Sequence, residues 1–151
     1  MAEKQLKLSP KIPAGDLTKM SRREILKISE QNFKSWQRAL KVGALADLTA
    51  LYARKVSFLP TLSAKLVQKL EGVRSYFRSF LQKQPVCKIR ELKTQVLNAV
   101  CYLQAGHYDF RFRQKGQPQT VRARFTFVWH YAARAQGWEI LHHHSSKLPG
   151  D

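Results

Sequence analysis

The stretch that most constrains this chain lies near its end. Phe125-Thr126-Phe127-Val128-Trp129-His130-Tyr131 sets a bulky ring at every second position, a short break follows, and Gly137-Trp138-Glu139-Ile140-Leu141-His142-His143-His144-Ser145-Ser146 comes next. Alternation of this kind predicts two strands whose side chains point to opposite faces in turn. Phe125, Phe127, Trp129 and Tyr131 share one face, with Val128 on the other. In the second strand, unbroken alternation groups His142, His144 and Ser146 with Trp138 and Ile140, and His143 and Ser145 with Glu139 and Leu141. Polar groups at the end of an apolar strand face are suited to form the wall of a pocket. The upstream chain reads as the scaffold that closes over it.

That scaffold begins as helix. Residues 1–20 carry Pro10, Pro13 and Gly15 without periodicity and read as a flexible N-terminal arm. Ser21-Arg22-Arg23-Glu24 has the form of a capping box. Ile25, Ile28, Phe33, Trp36, Ala39 and Leu40 follow at helical spacing, predicting a helix over Arg22–Lys41 that stops at Gly43. A second short helix places Leu45, Leu48, Leu51 and Tyr52 on one side. Lys55–Leu59 is a short strand ended by Pro60, with Thr61 and Ser63 in the turn after it. Helical spacing returns over Leu66–Leu81, with Gly72 weakening the middle, so a helix from Gly72 to Gln82 is the alternative. Tyr76 and Phe77 lie about 100° apart on such a helix. One ring packs in the core and the other lines a cavity.

From Val86 on, alternation predicts strands at Val86–Leu92, Gln95–Gln104, Gly106–Arg113, Thr120–Tyr131 and Gly137–Ser145. Helices followed by strands joined through short turns describe an α+β domain, here one unit over residues 21–149 with a mainly antiparallel sheet. At 151 residues the chain is long enough to bury about two-thirds of its unfolded surface. No apolar run approaches the ~20 residues of a membrane span, and no apolar leader is visible, so the expectation is a cytoplasmic protein with no membrane partner. Cys87 and Cys101 form neither a disulfide framework nor a zinc-binding pattern.

Twenty-seven basic residues against ten acidic ones give a net charge of +17. Such a field draws anions toward a site. Lys and Arg are spread over the whole chain without a nucleic-acid motif, and charge alone gives only sequence-independent, salt-sensitive attachment. No nucleic-acid partner is expected.

Several ordered motifs resemble a known group. Ala50-Leu51-Tyr52-Ala53, Phe58-Leu59-Pro60-Thr61-Leu62-Ser63, Tyr76-Phe77 with Phe80-Leu81, Arg124-Phe125-Thr126-Phe127-Val128, and His142-His143-His144-Ser145-Ser146-Lys147-Leu148-Pro149 are its carriers. Over residues 22–149 the chain resembles the nuclear transport factor 2-like superfamily. Within it, the chain is similar to the subgroup related to the association domain of calcium/calmodulin-dependent protein kinase, which includes the iota-class carbonic anhydrases. Lys41-Val42-Gly43-Ala44 and Ala64-Lys65-Leu66-Val67 depart from the pattern. The resemblance implies a cone-shaped fold, helices on a strongly bent sheet, and a homo-oligomer, dimer or larger. It implies reversible hydration of carbon dioxide to bicarbonate without an essential metal, although metal-dependent activity is ascribed to other members. The positions it matches are Thr61, Tyr76, His144 and Ser146 as the catalytic set, with Ser145 and His142 beside them as ligand contacts.

The residue chemistry suits that role. Hydroxyls donate and accept, donors aimed in a dry pocket favour developing charge, and an imidazole passes protons near neutrality. Structural duties for Thr61 and Tyr76 remain the competing reading, as do solvated histidines. His142 and His144, two apart on a strand, are also the alternative ligands of a divalent metal such as Zn or Mn, with His107 or His130 completing the set. The alternative to an enzyme is a non-catalytic oligomerisation or small-ligand-binding module.

Overall fold

The computed structural model describes residues 15–150. Residues 1–14 of the expected arm lie outside these. Within the rest of it, Leu17 sits in a single helical turn, Leu17–Lys19, and is buried in the core.

Helix α1 spans Arg22–Val42. It starts where the capping box predicts: Glu24 N donates to Ser21 Oγ at 3.2 Å, and Ser21 N donates to Glu24 Oε2 at 2.8 Å. It stops at Gly43, whose φ of 78° is the left-handed conformation that glycine adopts at no steric cost. Ile28, Phe33, Trp36, Ala39 and Leu40 form its buried stripe. Helix α2 follows at Leu45–Ala50. Tyr52, expected on that helix, instead opens strand β1, Tyr52–Leu59, because β5 captures the backbone there: Ile140 N donates to Leu51 O at 2.6 Å. Helix α3 is Leu70–Leu81 and buries Val73, Phe77 and Phe80. Gly72 falls in its first turn rather than interrupting it. The chain before it is held by a two-bond bridge between Val67 and Phe58.

Four strands complete the sheet: β2 Val86–Asn98, β3 Cys101–Gln114, β4 Gln117–Ala132 and β5 Gly137–Lys147. The order is β1-β5-β4-β3-β2, antiparallel throughout except for β1, which runs parallel to β5. The architecture is the α+β arrangement expected, with helices on a mixed sheet. Sequence reading places a strand over Gln95–Gln104 and a break before Gly106, which the structure corrects. The turn falls between Asn98 and Cys101, and Gly106 lies inside β3. The reason is a close backbone approach. A Cβ at Gly106 would stand 1.8 Å from Glu91 O, where β2 changes register. This glycine marks tight strand contact, not a turn.

Trp36 of α1 packs on Tyr108, Phe110 and Phe127, so the helix lies over the middle strands. Phe77 of α3 stacks on Phe58 of β1. A buried polar cluster pins α1 to the sheet. Trp129 Nε1 donates to Gln104 Oε1 at 2.8 Å, and Gln104 Nε2 donates to Ser29 Oγ at 2.7 Å. Asn32 Nδ2 donates to Tyr102 Oη at 2.7 Å. Among the described residues no helix is long and apolar enough to cross a membrane.

Gly106→Ala forces backbone apart and is expected to cost about 3 kcal/mol, the upper end of overpacking. Ser21→Ala removes only a cap and should cost about 1 kcal/mol. Urea unfolding of both variants checks the order; an unchanged midpoint for Gly106→Ala would contradict the close approach.

Candidate functional site

The inner end of β5 is set by a bulge. Trp129 pairs with Ile140 and Val128 with His142, so Leu141 is an extra residue on β5. One added residue inverts every later side chain. Trp138 and Ile140 face inward, and beyond the bulge the inward pair is His143 and Ser145, both buried. The expectation from unbroken alternation is thereby corrected. His144 is exposed on the outer face, and His142 and Ser146 are half-exposed there.

His143 is the centre of the core. Its ring stacks on Phe127 at 4.0 Å and on Phe58 at 4.7 Å, with the edge of Trp36 at 5.8 Å. Both ring nitrogens are bonded: Nδ1 lies 2.9 Å from Tyr52 Oη and Nε2 lies 3.1 Å from Tyr108 Oη. Behind Tyr52 stands Trp36, whose Nε1 donates to Tyr52 Oη at 3.0 Å. Beyond His143, Tyr108 donates to Ser145 Oγ at 2.6 Å, and Ser145 Oγ is hydrogen-bonded to Thr61 Oγ1. A single polar chain thus runs from α1 across β1, β5 and β3 to the turn after Pro60.

Its last members, Ser145 and Thr61, open on a small cavity walled also by Phe58, Tyr76, Phe80 and Phe110, with about 10 Å³ of internal room. That suffices for about one water. Thr61, Tyr76, Phe80 and Phe110 wall a second cavity of the same size. Tyr76 also lines an outer groove of about 380 Å³ bordered by Lys65, Lys83 and Ser79.

Of the residues expected to act together, Thr61, Tyr76 and Ser145 meet at the inner cavity. His144 and Ser146 do not. Ser146 Oγ instead accepts from Arg124 Nε at 3.2 Å, and His142 Nδ1 lies 2.6 Å from Ser57 Oγ, both on the outer face. Sequence reasoning missed Trp36, Tyr52, Tyr108 and His143. The signal available was two tyrosines standing at apolar positions, Tyr52 of a helical pattern and Tyr108 of a strand pattern, where a buried phenol needs a partner.

Burial pushes the His143 imidazole well below its ordinary range, helped by the charges of His142 and His144. The ring is neutral. Burial likewise drives Tyr52 and Tyr108 well above the ordinary phenol range, and Tyr76 is pushed up to about 12. Partial burial lowers His142, with His144 adding to it. The site is therefore a set of uncharged hydroxyls and an uncharged ring, able to donate and accept hydrogen bonds without a formal charge.

The alternative metal set is not assembled. His107 faces Glu91 at 3.3 Å and His130 faces Glu139 at 3.6 Å, while His142 is engaged by Ser57. Among the described residues no three His, Cys, Asp or Glu side chains converge as ligands.

Comparison with known proteins places this geometry among relatives. Residues 21–149 match the model of the calcium/calmodulin dependent protein kinase II association domain. A Xanthomonas campestris protein described as such an association domain is 29% identical, with a TM-score of 0.77, over 97% of this chain and 100% of that one. A Chlamydomonas reinhardtii protein described as a CaMKII hub homology domain superposes with a TM-score of 0.67 at 16% identity, over 82% of this chain and 98% of the other. A nuclear transport factor 2-like superfamily protein from Salmonella enterica gives 0.72 at 15%, over 84% and 93%. The last two are likenesses of fold. None of the curated proteins matches the chain.

The buried neutral histidine has a pH signature. Unfolded, His143 takes up a proton below pH ~6.5; folded, it does not until far lower. The unfolded state then binds more protons, so stability is full above pH ~6.5 and falls as pH drops below it, by up to about 1.4 kcal/mol per unit for one group. Urea unfolding between about pH 7.5 and 5 is expected to show this slope below pH ~6.5, and His143→Gln, though less stable throughout, should flatten it. An equal slope in both proteins would refute the assignment.

Proposed function

The chain belongs to the calcium/calmodulin dependent protein kinase II association domain family, and from that premise we propose that it is an oligomerisation module whose cone encloses a small-ligand pocket. The observation that carries the reading is the outer face of the sheet. Leu103 pairs with Val128 and Ala105 with Thr126, so four small or branched side chains lie side by side there, all half-buried. His107 and Arg124 border this strip at one end, and His130 and Glu139 at the other. An apolar strip with a charged margin is the anatomy of an interface centre and rim. A second copy of the chain laid sheet to sheet would cover it. The names of the Xanthomonas and Chlamydomonas proteins support association as the family's business.

Carbon dioxide hydration is the second reading, and one observation favours it. Thr61, Ser145 and Tyr76 bring three hydroxyls to one nearly dry cavity backed by a neutral imidazole. Bicarbonate would lie among these three, with Ser145 in the place that sequence alone gives to Ser146. His144, on the outer face, does not reach the cavity, so the proton released from water would leave through solvent on the side of the outer groove.

Static light scattering at micromolar concentration is expected to give a multiple of 17.5 kDa. Val128→Glu, which puts a carboxylate at the centre of the strip, should return a monomer with an unchanged circular dichroism spectrum. A 17.5 kDa wild-type species would sink the module reading.

Stopped-flow assay of hydration tests the second. If hydroxyl donors act on the transition state, Thr61→Ala and Tyr76→Phe should each lose about 10²–10³ in turnover while staying folded. Chelator should leave the rate unchanged. A folded oligomer with no activity above buffer would leave the module reading alone.

A further inference from the structure

The buried hydrogen-bond chain has a direction, set at its closed end. Trp36 Nε1 is a donor with no acceptor capacity, and it fills one side of Tyr52 Oη. Tyr52 is 2% exposed, and its own hydrogen has a single acceptor among the described residues, His143 Nδ1. Nδ1 is then the bare nitrogen, and the neutral ring carries its hydrogen on Nε2. Nε2 donates to Tyr108 Oη, and Tyr108 passes its hydrogen to Ser145. Ser145 and Thr61 own two hydrogens and spend one between their oxygens. The other is left for the cavity that both line. Running the chain backwards would put the imidazole hydrogen on Nδ1 and leave the Tyr52 hydrogen buried without an acceptor, which native structures avoid.

We propose that Trp36 and Tyr52 are positioning residues that lock His143 as the Nε2–H tautomer and so give the cavity a donor rim, which selects small oxyanions over ligands that donate. This rests on the ligand-binding half of the reading above. Tyr76, whose Oη is bonded to no described residue, lines the same cavity and has a hydrogen to offer there. Aligned hydrogen bonds in a low-dielectric interior polarise one another in the same sense, so a constraint at Trp36 is felt at Thr61. Outside, Lys65 and Lys83 border the groove that Tyr76 also walls, and the net charge of +17 raises the local concentration of anions. The inner cavity has room for about one water. A four-atom oxyanion therefore requires a wall to move. Tyr76 and Phe80 are shared by both cavities and the groove, and of the two Phe80 is buried while Tyr76 is half-buried and the freer to shift.

The test uses the full chain labelled with ¹⁵N-histidine. Long-range ¹H–¹⁵N correlation at pH 7 is expected to show His143 as a neutral Nε2–H ring. An Nδ1–H or protonated ring overturns the proposal. Titration with nitrate and with its donor-only counterpart guanidinium, both at millimolar concentration, is expected to shift the His143 and Tyr108 signals with nitrate alone. Tyr52→Phe removes one oxygen at constant net charge. It should populate the Nδ1–H tautomer and weaken nitrate binding about tenfold. If nitrate binds but Tyr52→Phe changes neither tautomer nor affinity, the positioning role is overturned and the pocket stands. If the tautomer is Nε2–H but nitrate does not bind, the selection of oxyanions is overturned together with the ligand-binding reading. Should Tyr52→Phe fail to fold, the wild-type tautomer and the wild-type preference for nitrate over guanidinium decide.

Discussion

The structure depends on one neutral imidazole held between two phenyl rings. His143 is 2% exposed, and its neighbours come from α1, β1, β3 and β4. A buried ring with two polar nitrogens is tolerated only when both are bonded. Leaving one unpaired costs about 1–3 kcal/mol. Tyr52 and Tyr108 are therefore tyrosines and not phenylalanines, though each sits among phenylalanines in the packing. Each new phenol needs its own partner, which brings in Trp36 at one end and Ser145 with Thr61 at the other. The demand for satisfaction propagates until it reaches a group that can face a cavity. The candidate site is where the core's polar accounting comes to its end.

The two faces of the sheet answer to different physics. The inner face is aromatic and closed by α1 and α3, with Trp36 and Phe77 as the main helix-borne rings. The outer face carries His142, His144 and Ser146, which the same strand presents with the opposite parity. Residues that belong to one motif in sequence thus serve two surfaces. His143 and Ser145 support the cavity, and their alternates lie beside the strip where a second copy would dock. Asp109 and Arg90, bonded at 2.7 Å, add a fixed ion pair on that outer side.

Much of this was legible in the sequence. The capping box, the stripe through Trp36 and the stop at Gly43 located α1 nearly to the residue, because capping and periodicity are local properties of the chain. That one of Tyr76 and Phe77 packs inward while the other lines a cavity followed from helical angles; the structure makes Phe77 the inward ring. The ordered motifs from Ala50 to Pro149 pointed to the association-domain family. Thr61 was singled out by the family resemblance, at its place after Pro60, which ends β1.

What only the tertiary structure decided is the parity of the last strand. His142-His143-His144-Ser145-Ser146 offers a His-x-Ser pair in one register, His143 with Ser145, and another in the other, His144 with Ser146. Unbroken alternation from Trp138 turns the second pair inward, and the structure turns the first inward instead. The choice is made at Leu141, by a bulge whose cause lies in how β5 pairs with β4 on one side and β1 on the other. Gly106 was misread for the same reason. A glycine required by a neighbouring strand's carbonyl looks, in one dimension, like a glycine required by a turn. Local sequence determined which elements form and which rings they carry. The non-local pairing of strands determined which of those rings and hydroxyls meet, because a shift of one residue between neighbours turns a strand over at no cost to its own propensity.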